Sequence, residues 1–467
     1  MTDDPEISRA LHDAASIPEV PTGLLAGAHR RRTARRRAAL RAGGVFAIVA
    51  AAAVIVPVLP LGGSMPTGAI DSGSAAGGKS ESQDDGVSGG GAPAAPLPNP
   101  QFAHTEGMAE AATASEALAW SGIHSSVGPN RILSPSSLSL SLAVAAEGAG
   151  GASLASANAA LGLEGETRSL AYGALRQSLE EYEASPGSVD LDEPPATPAV
   201  HQANRLVTLG VPLEPSFLAA LDRYFAVPVE DVERSVAQAN LDAWVREETG
   251  GLIERSGVKV QDDTVAVIQD ALLFAAAWRT PLEDEDSVRF DGPDGDERIP
   301  GVSGEVEARM AEGARWTAVR LPYDDTLAAD VILPREGVAP LDLTAEDLAE
   351  ARAALDAAEP TKVWVRMPTF DLAVKTDLLE ALPQVDLSDL SGMGAGLTVD
   401  QWVQQARLRV TAKGTVGAAV TEVVVGESAV MPPPDRFVVD RPYVFRVLDT
   451  RTGWPLFLAA VSDPTEE

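Results

Sequence analysis

Histidine is the side chain whose ordinary pKa suits proton transfer near neutrality, and this 467-residue chain has five, His12, His29, His104, His124 and His201. A Ser-His-Asp hydrolase would need one of them as its base, and none stands near a G-x-S-x-G turn. With no cysteine there is no thiol nucleophile, no disulfide, no Cys metal ligand and no lipidated cysteine. Neither H-E-x-x-H nor any paired-histidine spacing offers a zinc site, and no Walker or strand-borne G-x-G-x-x-G motif cradles a phosphate. The 68 Asp and Glu residues make close carboxylate pairs so common that none points to a glycosidase. The chain therefore reads as no enzyme, with no metal and no cofactor.

The chemistry that remains is chemistry done to the chain. Lys413-Gly414-Thr415-Val416-Gly417-Ala418-Ala419-Val420-Thr421 mixes small and β-branched residues, as suits a loop in one state and a buried strand in another. It runs on through Glu422, the triple valine Val423 to Val425 and Gly426 to Glu427-Ser428-Ala429-Val430-Met431, and reaches Pro432-Pro433-Pro434. A strand's period of two puts Thr415, Gly417, Ala419 and Thr421 on one face and Val416, Ala418, Val420 and Glu422 on the other. No proline breaks a ladder before Pro432. A plain surface loop gives no reason for the triple valine.

Elements must hold such a segment, and the chain divides accordingly. Residues 1–41 carry a cluster of seven arginines between Arg30 and Arg41, and residues 42–61 form an uncharged Ala/Val/Ile/Leu run. That run is long enough to cross a hydrocarbon core, and arginines on one flank orient the N-terminus to the cytoplasm. We expect an uncleaved signal anchor at 42–61, a flexible Gly/Ser/Ala/Pro linker at 62–100, and a folded domain at 101–467 on the outer face of the cell membrane. The net charge is −32 over the whole chain and −35 beyond Leu61, where 28 basic residues face 63 acidic ones. Such a surface repels nucleic acid. Helical patterns at 106–120, 138–147, 215–225, 240–254 and 344–358 precede or interrupt strand-like runs at 265–273, 317–321, 328–333, 363–367, 408–410, 437–448 and 456–461. Helices first and strands later, without βαβ alternation, predict an α+β fold with mostly antiparallel sheets.

Several stretches together resemble the serpin family, and the likeness spans about Gln101 to Pro464. Asn130-Arg131-Ile132-Leu133-Ser134-Pro135-Ser136-Ser137-Leu138 is similar to the family's segment entering its second helix. Ala203-Asn204-Arg205-Leu206 matches a strand. Leu241-Asp242-Ala243-Trp244-Val245 with Thr249, Gly251 and Ile253 resembles a more specific helix string. Ala271 to Trp278 looks like the strand ending beneath the loop-insertion point. Leu321-Pro322-Tyr323, Val331 to Pro334, Met367 to Phe370, Ser388 to Met393, Phe437 to Phe445 and Pro455 to Pro464 follow in the family's order.

The resemblance implies a serpin fold with N-terminal helices on three mostly antiparallel sheets and an exposed reactive-centre loop. It implies a monomeric, bacterial-type, membrane-anchored suicide inhibitor that traps a serine protease as a covalent acyl-enzyme while the cleaved loop enters a sheet. Gly414 then opens the hinge and Thr415 inserts first, with the Thr415, Gly417, Ala419, Thr421 face inward. Counting along the loop sets the cleaved bond within Glu427, Ser428, Ala429, Val430 and Met431, and these residues suit elastase-like or subtilisin-like targets. A non-inhibitory binding protein is the other reading. Two departures matter. Ala412 stands where the family has Glu before the hinge, and Asp270 and Gln404 stand for its Asn and His. We expect Asp270, Gln404, Ser134 and Ser137 to form one buried cluster in the sheet-opening region beside Trp278.

Overall fold

The computed structural model describes residues 105–293, 295–416 and 435–465. The expected basic segment 1–41, membrane span 42–61 and linker 62–100 lie outside them, as does 417–434. Among the described residues no helix is long and apolar enough to cross a membrane.

The folded unit opens with helix α1 (Met108–Ser125), strand β1 (Arg131–Leu133) and α2 (Pro135–Ala146). Ser134 caps α2 by accepting from the Ser137 amide at 3.3 Å, and Pro135 fills the first turn, where a missing N–H costs nothing. Helices α3 (Gly151–Leu161) and α4 (Gly165–Ser178) follow, with β2 (Ala199–Thr208), α5 (Pro215–Ala220), β3 (Val229–Asp231) and α6 (Arg234–Glu248). Periodicity alone set α6 some six residues late. Gly250 and Gly251, at φ 62° and 91°, adopt the left-handed backbone that stops it.

Strands dominate the rest: β4 (Ala266–Ala277), β5 (Glu283–Gly292), β6 (Gly295–Glu312), β7 (Trp316–Pro322) and β8 (Leu327–Pro334). Helix α7 (Ala345–Ala357) starts with a capping box between Thr344 and Asp347. The chain ends through β9 (Thr361–Pro368), β10 (Phe370–Asp377), α8 (Leu378–Ala381), β11 (Val403–Thr411), β12 (Gly414–Thr415), β13 (Asp435–Val438), β14 (Tyr443–Asp449) and β15 (Trp454–Val461). The apolar run 437–448 reads as one strand in the sequence but forms two. Pro442 interrupts it, and Arg441 turns its guanidinium onto the Pro334 carbonyl, 2.8 Å away.

Pairing gives a nine-stranded set in the order β1-β15-β14-β8-β7-β6-β9-β13, with β5 on β6, and a six-stranded sheet in the order β10-β11-β12-β4-β2-β3. All pairs are antiparallel except β13 with β9 and β2 with β3. The 18-residue β6 pairs with β5 and β9 over its first part and with β7 at its end, so it joins strands that would otherwise form separate sheets. Helix α2, buried on nearly every side, packs against β15 of the larger set and β4 of the smaller. On the other face of the six-stranded sheet, Ala237 and Leu241 of α6 cover Val207 and Val267.

Candidate functional site

The six-stranded sheet is split. β12 bridges its two halves over two residues only: Gly414 and Thr415 pair with Ala277 and Ala276 of β4 on one side and with Thr411 and Val410 of β11 on the other. Below that bridge β4 pairs with β2 and β11 with β10, and no hydrogen bond joins β4 to β11 among the described residues. A cavity of about 160 Å³ occupies the gap, with Ser134, Ser137, Asp270 and Gln404 all on its wall.

The bridge is tightly fitted. A Cβ on Gly414 would lie 2.1 Å from the Ala276 carbonyl oxygen, so this position accepts no side chain without moving the strand. Thr415 is fully buried, and its hydroxyl shares a hydrogen bond with the Tyr323 phenol. Tyr323 stacks on Trp278 at 4.7 Å between ring centroids, and Phe274 meets it edge-on at 5.1 Å. Burial pushes the Tyr323 phenol well above its usual pKa, so it stays protonated. Trp278 Nε1 donates to the Thr411 carbonyl at 2.9 Å. The bridge then ends at Val416, whose φ of 66° is rare for a β-branched residue and costs on the order of 1–3 kcal/mol.

What anchors the segment ahead of Gly414 is backbone. Ala412 is 4% exposed and accepts at its carbonyl from the Leu282 amide at 2.8 Å, and the Lys413 carbonyl accepts from the Trp278 amide at 2.8 Å. An apolar side chain at 412 suits this packed position, and the anchoring involves no charged side chain there.

Of the four expected cluster residues, the structure brings all to one cavity but joins them in two halves. Gln404 Oε1 accepts from the Ser134 amide at 2.7 Å while its Nε2 donates to the Ser134 carbonyl at 3.1 Å. Asp270 accepts from Asn204 Nδ2 on the neighbouring β2. Burial raises its carboxyl to about 6, against the pull of the Ser137, Asn204 and Gln202 side chains. Asp270 and Gln404 thus face one another across the split without a mutual hydrogen bond. Asn204 and Tyr323 complete the site without having been singled out for it, while Val416 was expected as part of the hinge. Asn204 and Tyr323 do lie inside quoted strings, but only strand pairing shows what each one touches.

A second feature bears on the split. His201, on β2, is 4% exposed and holds Glu183 at 2.8 Å and Glu248 at 2.6 Å. Burial opposes charge on the ring, but the two carboxylates outweigh it and raise the imidazole to about 9. Glu248 ends α6, so an imidazolium ties that helix to the sheet it covers. The His124 ring nitrogens meet the Trp120 and Leu341 carbonyls, and His104 lies outside the described residues. Neither His124 nor His201 has a serine hydroxyl among its hydrogen-bond partners. The hinge residues Gly417, Ala418, Ala419, Val420 and Thr421 and the bond candidates Glu427 to Met431 lie outside the described residues.

An α+β fold whose six-stranded sheet is split and bridged at one end by a two-residue strand defines the class of protein. The family model described as Serpin (serine protease inhibitor) matches residues 118–464, and the chain belongs to the serpin family. An uncharacterised serpin-like protein of Thermococcus kodakarensis is 26% identical over 360 residues, covering 72% of this chain and 81% of its own. Among solved structures, the native state of the thermophilic serpin tengpin matches with a TM-score of 0.65 at 20% identity, over 75% of this chain and 93% of its own. Human thyroxine-binding globulin complexed with its hormone matches with a TM-score of 0.64 at 19% identity, over 77% of this chain and 100% of its own. At such identities these two establish the fold alone. None of these matches assigns the chain to a bacterial subgroup.

Proposed function

We propose that the chain inhibits serine proteases as a suicide substrate, cleaved within 427–431 and inserting the freed strand between β4 and β11. The observation that carries this is the bridge: Gly414 and Thr415 already have the pairing that an inserted strand would continue. Extended at the same register, Gly417 would meet Phe274 and Leu408, Ala419 would meet Leu272 and Ala406, and Thr421 would meet Asp270 and Gln404. Small side chains would then line the face over the cavity, and a hydroxyl would arrive between a carboxylate and a carboxamide, both able to accept it. Val425 would reach Ala266, the first residue of β4, so the ladder ends just before the cleavage window. Insertion also relieves the strained backbone at Val416.

The residues in that window favour elastase-like or subtilisin-like enzymes, with Ser428-Ala429 and Ala429-Val430 the preferred bonds. The test is incubation with elastase, subtilisin and trypsin, read as a covalent complex on denaturing gels with mass spectrometry of the cut loop. We expect complexes with the first two, and trypsin alone being trapped would overturn the assignment. A binding protein, the role that the thyroxine-binding globulin complex exemplifies for that relative, is the competing reading. It predicts simple cleavage with no trapped complex. We also assign 42–61 as a single-pass anchor that presents a monomeric inhibitor outside the cell, on the strength of the one-sided arginine cluster. Resistance to alkaline carbonate extraction from membranes tests it.

A further inference from the structure

The cavity under the split holds a carboxylate with unmet demand. One oxygen of Asp270 accepts from Asn204, while Oδ1 is covered and accepts no hydrogen bond. The Ser137 and Gln202 side chains also favour its ionised form, but all of these donors are neutral, so the charge has no counter-ion. The charged residues on the cavity wall are Asp270, Asp400 and Arg407, and Arg407 is already held by both carboxylate oxygens of Asp371. Among the described residues the wall is therefore net negative, and no cation pairs with Asp270. Much of the remaining lining is apolar, with Leu272, Leu390, Met393 and Trp402 among it. A volume of about 160 Å³ is close to that of apolar cavities that admit a benzene-sized ring.

We propose that this cavity binds a small protonated amine with an aromatic or short aliphatic body. The ammonium pairs with Asp270, whose soft carboxylate torsion can turn either oxygen toward it, and the body lies against the apolar wall. The proposal stands on the uncleaved protein. An occupied cavity would also obstruct the incoming strand and slow protease trapping, a consequence that rests on the inhibitor reading.

Benzylamine, benzyl alcohol and benzoate share a ring and differ in head charge, so they separate charge recognition from cavity filling. Calorimetric titration of the full-length, uncleaved chain at pH 7.5 and physiological salt should give benzylamine an affinity about tenfold above that of benzyl alcohol, with benzoate not bound. D270N should abolish that preference, and D222N, at an exposed position away from the cavity wall, should retain it. In the wild-type chain the preference should vanish below pH about 6, where Asp270 takes up its proton while the amine stays charged. Equal binding of amine and alcohol, no binding of either, or a preference that survives D270N or acid would overturn the proposal. The acid titration decides the question even if D270N fails to fold.

Discussion

Asp270 shows how one substituted position changes the thermodynamics of the site. Its carboxyl titrates near 6 in the folded chain against an ordinary 3.8. Between those values the folded chain holds more protons than the unfolded one, so this group's stabilising effect is complete below 3.8 and lost as pH rises through 6. We expect D270N to gain on the wild type by up to about 3 kcal/mol between pH 4 and 7, measured by urea melts at each pH. A difference that does not change with pH would show that the carboxylate is not responsible. Gly414 makes the complementary case, where the side chain must be absent. G414A should drive β12 away from Ala276 and cost about 1–3 kcal/mol, with faster amide exchange at Thr415 as the readout. Unchanged protection there would contradict the close packing.

At the scale of elements, the question is what must move for a strand to enter between β4 and β11. Helix α6 covers the outer face of β2 and β4 and is fastened at its end by the His201 imidazolium. Because the ring titrates near 9 and not near 6.5, that tie is complete below pH 6.5 and lost as pH rises through about 9. H201Q should loosen α6 by about 2 kcal/mol, seen as faster hydrogen exchange in 234–248 at pH 7, and the wild type should show the same loosening near pH 10. Exchange rates in α6 that ignore both changes would remove the tie from the account. The bridge is the other controlling element. It is fixed through the backbone at Ala412 and Lys413 and stopped by the turn at Val416, so the absence of a charge at 412 does not leave it unanchored.

For the whole molecule, two packing regimes coexist. The larger sheet encloses Arg446, fully buried, between Asp330 and Glu116, and Arg320 shares Asp330 at 2.6 Å. Burial alone would raise the Asp330 carboxyl, yet the two guanidiniums hold it below its ordinary value. D330N would leave Arg446 with Glu116 and Arg320 with Asp356 as the remaining carboxylate partners and should cost about 3 kcal/mol in chemical denaturation; a loss below 1 kcal/mol would mean that the network is relaxed or hydrated. The smaller sheet is the opposite case, split between β4 and β11 below the two-residue β12, and the proposed insertion would add a strand there. Cleavage within 427–431 should therefore raise the thermal midpoint by more than about 10 °C, and an unchanged midpoint would indicate cutting without insertion.

What the sequence determined by itself was largely what local chemistry and linear order determine. The cap at Ser134 and the α+β order of elements follow from neighbours in the chain, and ordered motifs made the family legible. Element ends were less legible, as the late start read for α6 and the single strand read for 437–448 show, because glycine torsions and the reach of Arg441 decide them. Only the tertiary structure decided that Thr415 lies under Tyr323, that Gln404 serves the Ser134 backbone while Asp270 turns to Asn204, and that His201 clamps α6. Each of these contacts joins residues tens to hundreds of positions apart. Strand register and the direction of each side chain select them, and neither quantity is written in residue type or spacing.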